Sequence, residues 1–188
     1  MQRPHFMLME RLPGEDERLD ACAARVTDPA VQVIRFTQLW LALTELRHRQ
    51  REQGFAALAR LDLIGHGEPG ALSVGDAVLS GDPQVQRVLA QLLNPPALVD
   101  GETVLRLLGC GVGVGGLQAD LPLGAQGDGP LLALALKRRL GCRVQVTRWG
   151  VNPHDFAGSG YATEEALAEA TDAEQCVLAP VTGGPTSP

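Results

Sequence analysis

The sequence is short of several things that would point to common functions. Lys137 is the only lysine among 16 basic residues, a skew that reads as composition and not as function. Four cysteines (Cys22, Cys110, Cys142 and Cys176) form no CxxC pair, which argues against a zinc ribbon and a disulfide framework. Free thiols in a cytoplasmic protein are the expectation. No apolar run reaches the ~18 residues of a membrane span. The opening MQRPHFMLMERLPGEDERLD lacks the apolar core of a signal peptide. There is no basic stripe either: net charge is −6 and the pI about 5.2, so a broad nucleic-acid face is not expected. The one basic run, Arg47 to Arg51, closes a helical pattern and reads as a solvated helix end.

What the chain does have is alternation. Its hydrophobic content of 45% supports a single domain over 1–181, with 182–188 as a disordered tail. VQVIRF (Val31 to Phe36) reads as a strand. Phe36, Leu39, Trp40, Leu43 and Leu46 recur at helical spacing, which predicts a helix with Trp40 in the core. Leu61, Leu63 and Ile64 make a short strand ending at His66. Ala71 to Leu79 reads as a small hairpin turning at Gly75–Asp76. DPQVQRVLAQLL is a helix capped by Asp82, with Pro83 in its first turn and Val85, Val88, Leu89 and Leu92 as its buried stripe. VLRLLGCG is a strand, PLLALALKRRLG a helix, RVQVTRWG a strand and TEEALAEAT a short helix. QCVLAPV reads as an edge strand. The form of the first thirty residues is open. The alternation predicts an α/β fold, a mainly parallel sheet with helices on both faces. Function in such sheets lies beyond the carboxyl ends of the strands.

Two strands deliver reactive side chains to that kind of position. LIGHGEPG ends one strand at His66, and VLRLLGCGVGVGG ends another at Cys110. The glycine spacing after Cys110 also fits a nucleotide or S-adenosylmethionine loop. Against that, Pro122 and further glycines delay the next helix, and the following strand has no acidic residue at its end until Asp155. The nucleophile reading has what it needs. A thiolate attacks, and a histidine in the same cleft takes the proton and returns it to the leaving amine. Without a Cβ, Gly67 lets its N–H approach a reacting carbonyl oxygen and form an oxyanion hole with the N–H of Cys110.

His-Gly at one strand end and Gly-Cys at a later one, 44 residues apart (110 − 66), resembles the caspase–hemoglobinase fold of cysteine peptidases. LLGCGVG is closer to the bacterial toxin-processing and other prokaryotic caspase-like domains than to animal caspases. The resemblance covers roughly 31–149. It implies a three-layer sandwich, Cys110 as nucleophile, His66 as acid/base, a protein or peptide substrate, and no metal or organic cofactor. A catalytically silent interaction module on the same fold is the alternative.

Arg148, Trp149 and Asp155 are the candidate substrate-binding residues. Arg148 and Trp149 alternate, so one of them faces the cleft. Arg148 there favours an acidic P1 side chain; Trp149 with Asp155 favours a basic or apolar one. His154 is a further candidate, whereas His5 and His48 read as surface residues and Cys22, Cys142 and Cys176 as structural. The glycine-rich stretch from Gly111 to Gly129 is expected to be a mobile gate; the resemblance to caspases makes Asp120 and Asp128 candidate self-cleavage sites if P1 is acidic.

Overall fold

A computed structural model of the chain describes residues 3–11, 17–94, 97–114 and 129–170, together with the strand Leu178–Pro180. The chain opens with β1 (His5–Glu10), α1 (Glu17–Ala24), β2 (Val31–Phe36), α2 (Leu39–Gln53) and β3 (Arg60–Ile64). It then leaves the main sheet for a small arm of β4 (His66–Glu68), β5 (Ala71–Val74) and β6 (Ala77–Leu79). There follow α3 (Pro83–Leu93), β7 (Val104–Leu108), α4 (Gly129–Leu140) and β8 (Arg143–Thr147), then β9 (Phe156–Ala157), β10 (Gly160–Tyr161), β11 (Leu167–Ala170) and β12 (Leu178–Pro180).

Among the described residues, seven strands form one sheet in the order β12-β11-β8-β7-β3-β1-β2. Strands β2, β1, β3, β7 and β8 run parallel, and β11 pairs antiparallel with β8 and with β12 at one side. The period-2 pattern of the strands decides how the layers stack. Leu61, Leu63, Leu105, Leu107, Val144 and Val146 share one face and pack against α2, α3 and α4. Met7, Met9, Ile64 and Leu108 share the other and pack against Leu19 and Cys22 of α1 and against Phe156 and Tyr161. Helices therefore cover both faces of a mainly parallel sheet, in three layers. No helix among the described residues is long and apolar enough to cross a membrane.

The second face also carries a polar row behind the apolar carboxyl ends of β3 and β7. Asp62, Arg106, Gln145 and Glu169 sit at paired register positions across β3, β7, β8 and β11. A charge this deep has to be paired. The Arg106 guanidinium, 2% exposed, donates to Gln145 Oε1 at 2.9 Å and to Glu164 Oε1 at 2.8 Å. Arg143 forks onto both oxygens of Glu169 at 2.8 and 2.7 Å. His5, expected at the surface, instead reaches this row from the neighbouring register position, with Nε2 2.8 Å from Asp62 Oδ2.

Other expectations change with the packing. The open first stretch holds β1, which lies between β2 and β3 inside the sheet. Phe36 ends β2 and does not enter the helix. Trp40 is 50% exposed, because α2 turns Leu39, Leu43 and Leu46 inward and leaves Trp40 outside that stripe. On α3 the buried positions are Gln86, Leu89 and Leu93, and Val88 is exposed. TEEALAEAT is not a helix. A single 3-10 turn, Glu164–Ala166, leads into β11, whose pairing with β8 overrides the helical propensity of its alanines. The edge strand expected in QCVLAPV is β12.

Two predictions follow from this packing. Leu43→Ala should lower stability by about 2–5 kcal/mol, and Trp40→Ala by less than half as much, by denaturant titration. The second concerns Glu169, whose carboxyl the Arg143 hydrogen bonds hold below its ordinary value. Its stabilising contribution is present above the ordinary carboxylate value and is lost as pH falls through the lowered one. Glu169→Gln should therefore flatten the acid limb of the stability curve and leave a smaller difference between pH 7 and pH 3 than wild type shows.

Candidate active site

The last parallel pair between β3 and β7 is Ile64 with Leu108. Two residues further along each strand stand His66 and Cys110. Neighbouring strands lie about 4.8 Å apart, so the register alone brings the two residues to one edge of the sheet. The chain diverges there. After Gly65 it turns into the arm, where His66 pairs with Ser73 and Ser73 with Val78. His66 and Cys110 are both exposed.

Two glycines bring the segments closer than side chains would allow. A Cβ on Gly67 would stand 2.5 Å from Cys110 N and 2.5 Å from Gly109 C. A Cβ on Gly109 would stand 2.8 Å from both Gly67 Cα and Gly67 N, and 2.5 Å from Leu72 Cδ1. The backbones of His66–Gly67 and Gly109–Cys110 thus lie directly against each other, with the amide nitrogens of Gly67 and Cys110 at the same contact. Two N–H groups at one such point are the raw material of an oxyanion hole.

Each segment is held from behind. On the arm side, the buried Glu10 carboxylate at the end of β1 accepts from Gly75 N at 2.9 Å, and Asp76 accepts from Leu39 N at 3.0 Å. These bonds fix the β5–β6 turn to the end of β1 and the start of α2. On the cysteine side, Gly111 adopts φ +66°, a left-handed turn that glycine makes without strain. Its N–H donates to Trp149 O at 3.1 Å, and the Gly113 N–H donates to Thr147 O at 2.7 Å. Gly150 lies beside the sulfur: a Cβ there would be 3.9 Å from Cys110 Sγ.

The other candidates separate. Trp149 is 57% exposed next to Gly150, and Arg148 is half-buried with its N–H bonded to Ala166 O. Asp155, expected beside a substrate pocket, is turned inward: it is buried, and its two oxygens accept from Asn152 N at 2.7 Å and Thr163 Oγ1 at 2.9 Å. That carboxylate caps a 3-10 turn, Pro153–Asp155, and does not serve the cleft. His154 is exposed on the same turn. Cys22 and Cys142 are buried, and burial pushes the Cys142 thiol up to about 12, which leaves it protonated and inert near neutral pH. Cys176, Asp120, Asp128, the tail 182–188 and most of the expected gate (115–128) lie outside the described residues. Among the described residues no group of three His, Cys, Asp or Glu side chains is placed to hold a metal.

The site is separate from an apolar groove on the helical side of the sheet. That groove, about 400 Å³, runs between α2, β6 and α3 and is lined by Trp40, Val78, Val85 and Val88, with neither His66 nor Cys110 in its wall. Comparison with models of known protein families, with characterised proteins and with solved structures finds no match to this chain. The geometry of the strand ends is therefore the ground for any functional reading. It yields a direct test of the glycine contact. Gly67→Ala should destabilise the fold by about 1–3 kcal/mol or more through overpacking, whereas Gly81→Ala, with nothing within 4 Å of the new Cβ, should be neutral by thermal denaturation.

Proposed function

We propose that the chain is a cysteine endopeptidase of the caspase–hemoglobinase type, with Cys110 as nucleophile and His66 as acid/base. The observation that carries the reading is the contact of Gly67 with the Gly109–Cys110 backbone, which puts the histidine segment and the cysteine amide at one point. The His-Gly and Gly-Cys motifs, their chain order and their places at neighbouring strand ends support it. So does the exposure of Cys110 beside two buried cysteines.

In this reading His66 takes the thiol proton, and Cys110 Sγ attacks the scissile carbonyl carbon of a bound protein or peptide. The carbonyl oxygen becomes an oxyanion, received by the N–H groups of Gly67 and Cys110. The tetrahedral species collapses to a thioester, and the imidazolium gives its proton to the departing amine. Neutral His66 then draws a proton from water, which attacks the thioester. Collapse of the second tetrahedral species releases the carboxylic acid, and the imidazolium returns its proton to the Cys110 thiolate. These steps ask nothing of a metal or an organic cofactor. A thiol nucleophile suits the reducing cytoplasm, which is where we place the protein.

Arg148 and Trp149 remain the candidates for reading the P1 side chain. Arg148 would select an acidic residue through its guanidinium, and Trp149 an apolar one. With Asp155 turned inward, the basic P1 option loses its carboxylate.

The test uses a fluorogenic peptide library and the purified chain. Wild type should cleave a subset of the library. Cys110→Ala and His66→Ala should each lose about 10³-fold or more in turnover while keeping a native circular dichroism spectrum. An acyloxymethyl ketone should label Cys110 in wild type and not in His66→Ala. Wild-type turnover in either variant would reject the assignment. No cleavage, with labelling indifferent to His66, would instead favour a silent interaction module.

A further inference from the structure

The β7–β8 ladder ends at the pair Leu107 with Val146. The next residue on β8, Thr147, is fully buried. Its side chain continues the ladder where the main chain no longer does. Thr147 Oγ1 accepts from the Gly109 N–H at 3.1 Å and donates to the Gly109 carbonyl oxygen. Leu107 O, at 3.5 Å, is the more distant acceptor. One hydroxyl thus occupies both hydrogen-bonding groups of the residue before the nucleophile.

The Gly109 carbonyl belongs to the same peptide unit as the Cys110 N–H. That unit is planar and trans, so its C=O and N–H point in opposite directions. Fixing the carbonyl on Thr147 fixes where the Cys110 N–H points. A donor on the carbonyl also polarises the unit and strengthens its N–H as a donor. Gly67 presses on this same unit from the arm.

We propose that Thr147 is a positioning residue that sets the Cys110 half of the oxyanion hole, acting through the Gly109–Cys110 peptide. The inference rests on the reading of Cys110 as nucleophile and adds a role for a residue that does not touch substrate. It separates two chemistries of one sulfur. Peptide cleavage passes through an oxyanion and needs the aimed N–H. Alkylation by iodoacetamide displaces iodide at carbon, forms no oxyanion, and needs only the thiolate.

The experiment compares wild type, Thr147→Val, Thr147→Ser and His66→Ala. It measures kcat and KM on the library peptide that wild type cleaves best, and the rate of Cys110 alkylation by iodoacetamide at the same pH. Thr147→Val keeps the shape and removes the hydroxyl. It should lower kcat by roughly 10- to 100-fold, less than deletion of an oxyanion donor outright. Its KM and its alkylation rate should stay near the wild-type values. Thr147→Ser, which keeps the hydroxyl, should restore most of kcat. His66→Ala should lose both cleavage and fast alkylation. If Thr147→Val does not fold, Thr147→Ala against Thr147→Ser makes the same comparison. Unchanged kcat in the hydroxyl-free variant, or parallel loss of cleavage and alkylation in Val and Ser alike, would overturn the proposal while the dyad stands. A wild type that cleaves no peptide would remove the dyad reading and this inference with it.

Discussion

Everything at the reactive end of the molecule depends on two backbones being allowed to touch. Parallel strands set a spacing that side chains normally fill. At the exit of β3 and β7 that spacing is closed by Gly67 and Gly109, each of which stands where a Cβ would enter the other segment. The contact is flanked by the buried side chains of Leu72 and Val112. It exists because the sheet fixes both strands in register up to Ile64 and Leu108, and because the elements on either side hold each segment in place. A site built this way is rigid by exclusion. Steric contact prescribes the separation of the two amides, and the cost of any added atom is repulsive and steep.

The two supports are of different kinds. The arm carrying His66 is held at its far end, by the Glu10 carboxylate on Gly75 and the Asp76 carboxylate on the start of α2. Its near end is tied to the cysteine segment by the Gly65 N–H on Leu108 O at 3.2 Å and the Gly70 N–H on Val112 O at 3.1 Å, with Leu72 packed over Gly109. The cysteine turn is held at close quarters: Gly109, Gly111 and Gly113 each bond to the stretch Thr147 to Trp149. Alternate residues are fixed, and Cys110, between two of them, is left exposed. Held by its neighbours' backbones, Cys110 keeps its side chain accessible. The charged row of Asp62, Arg106, Gln145 and Glu169 lies further back along the strands, and Met9, Ile64 and Leu108 separate it from the strand ends.

How much of this was legible in the sequence follows from what kind of physics each feature uses. The alternation of strands and helices, the cap at Asp82 and the hairpin at Gly75–Asp76 are local, and periodicity exposes them. His66, Gly67 and Cys110 were visible because each breaks an apolar run at its end. Trp40 was misplaced because helical spacing identifies a stripe but not its edges. TEEALAEAT was misread because strand pairing with β8 is a long-range gain that local propensity does not register. Asp155 drew attention as a charge near a strand end, yet a carboxylate two or three residues after an asparagine is equally suited to close a turn. Thr147 gave the weakest signal. It is the last polar residue of a strand that already alternates Arg, Val, Gln and Val, and nothing in that pattern distinguishes a hydroxyl facing solvent from one facing a peptide. The difference is made by the neighbouring strand. β7 ends its regular pairing one residue early, and a buried peptide whose ladder partner is missing must find another. The earliest sequence sign of such a replacement is therefore a small hydroxyl residue ending the strand beside a glycine that precedes an exposed cysteine, a relation that becomes visible only once the order and register of the strands are known.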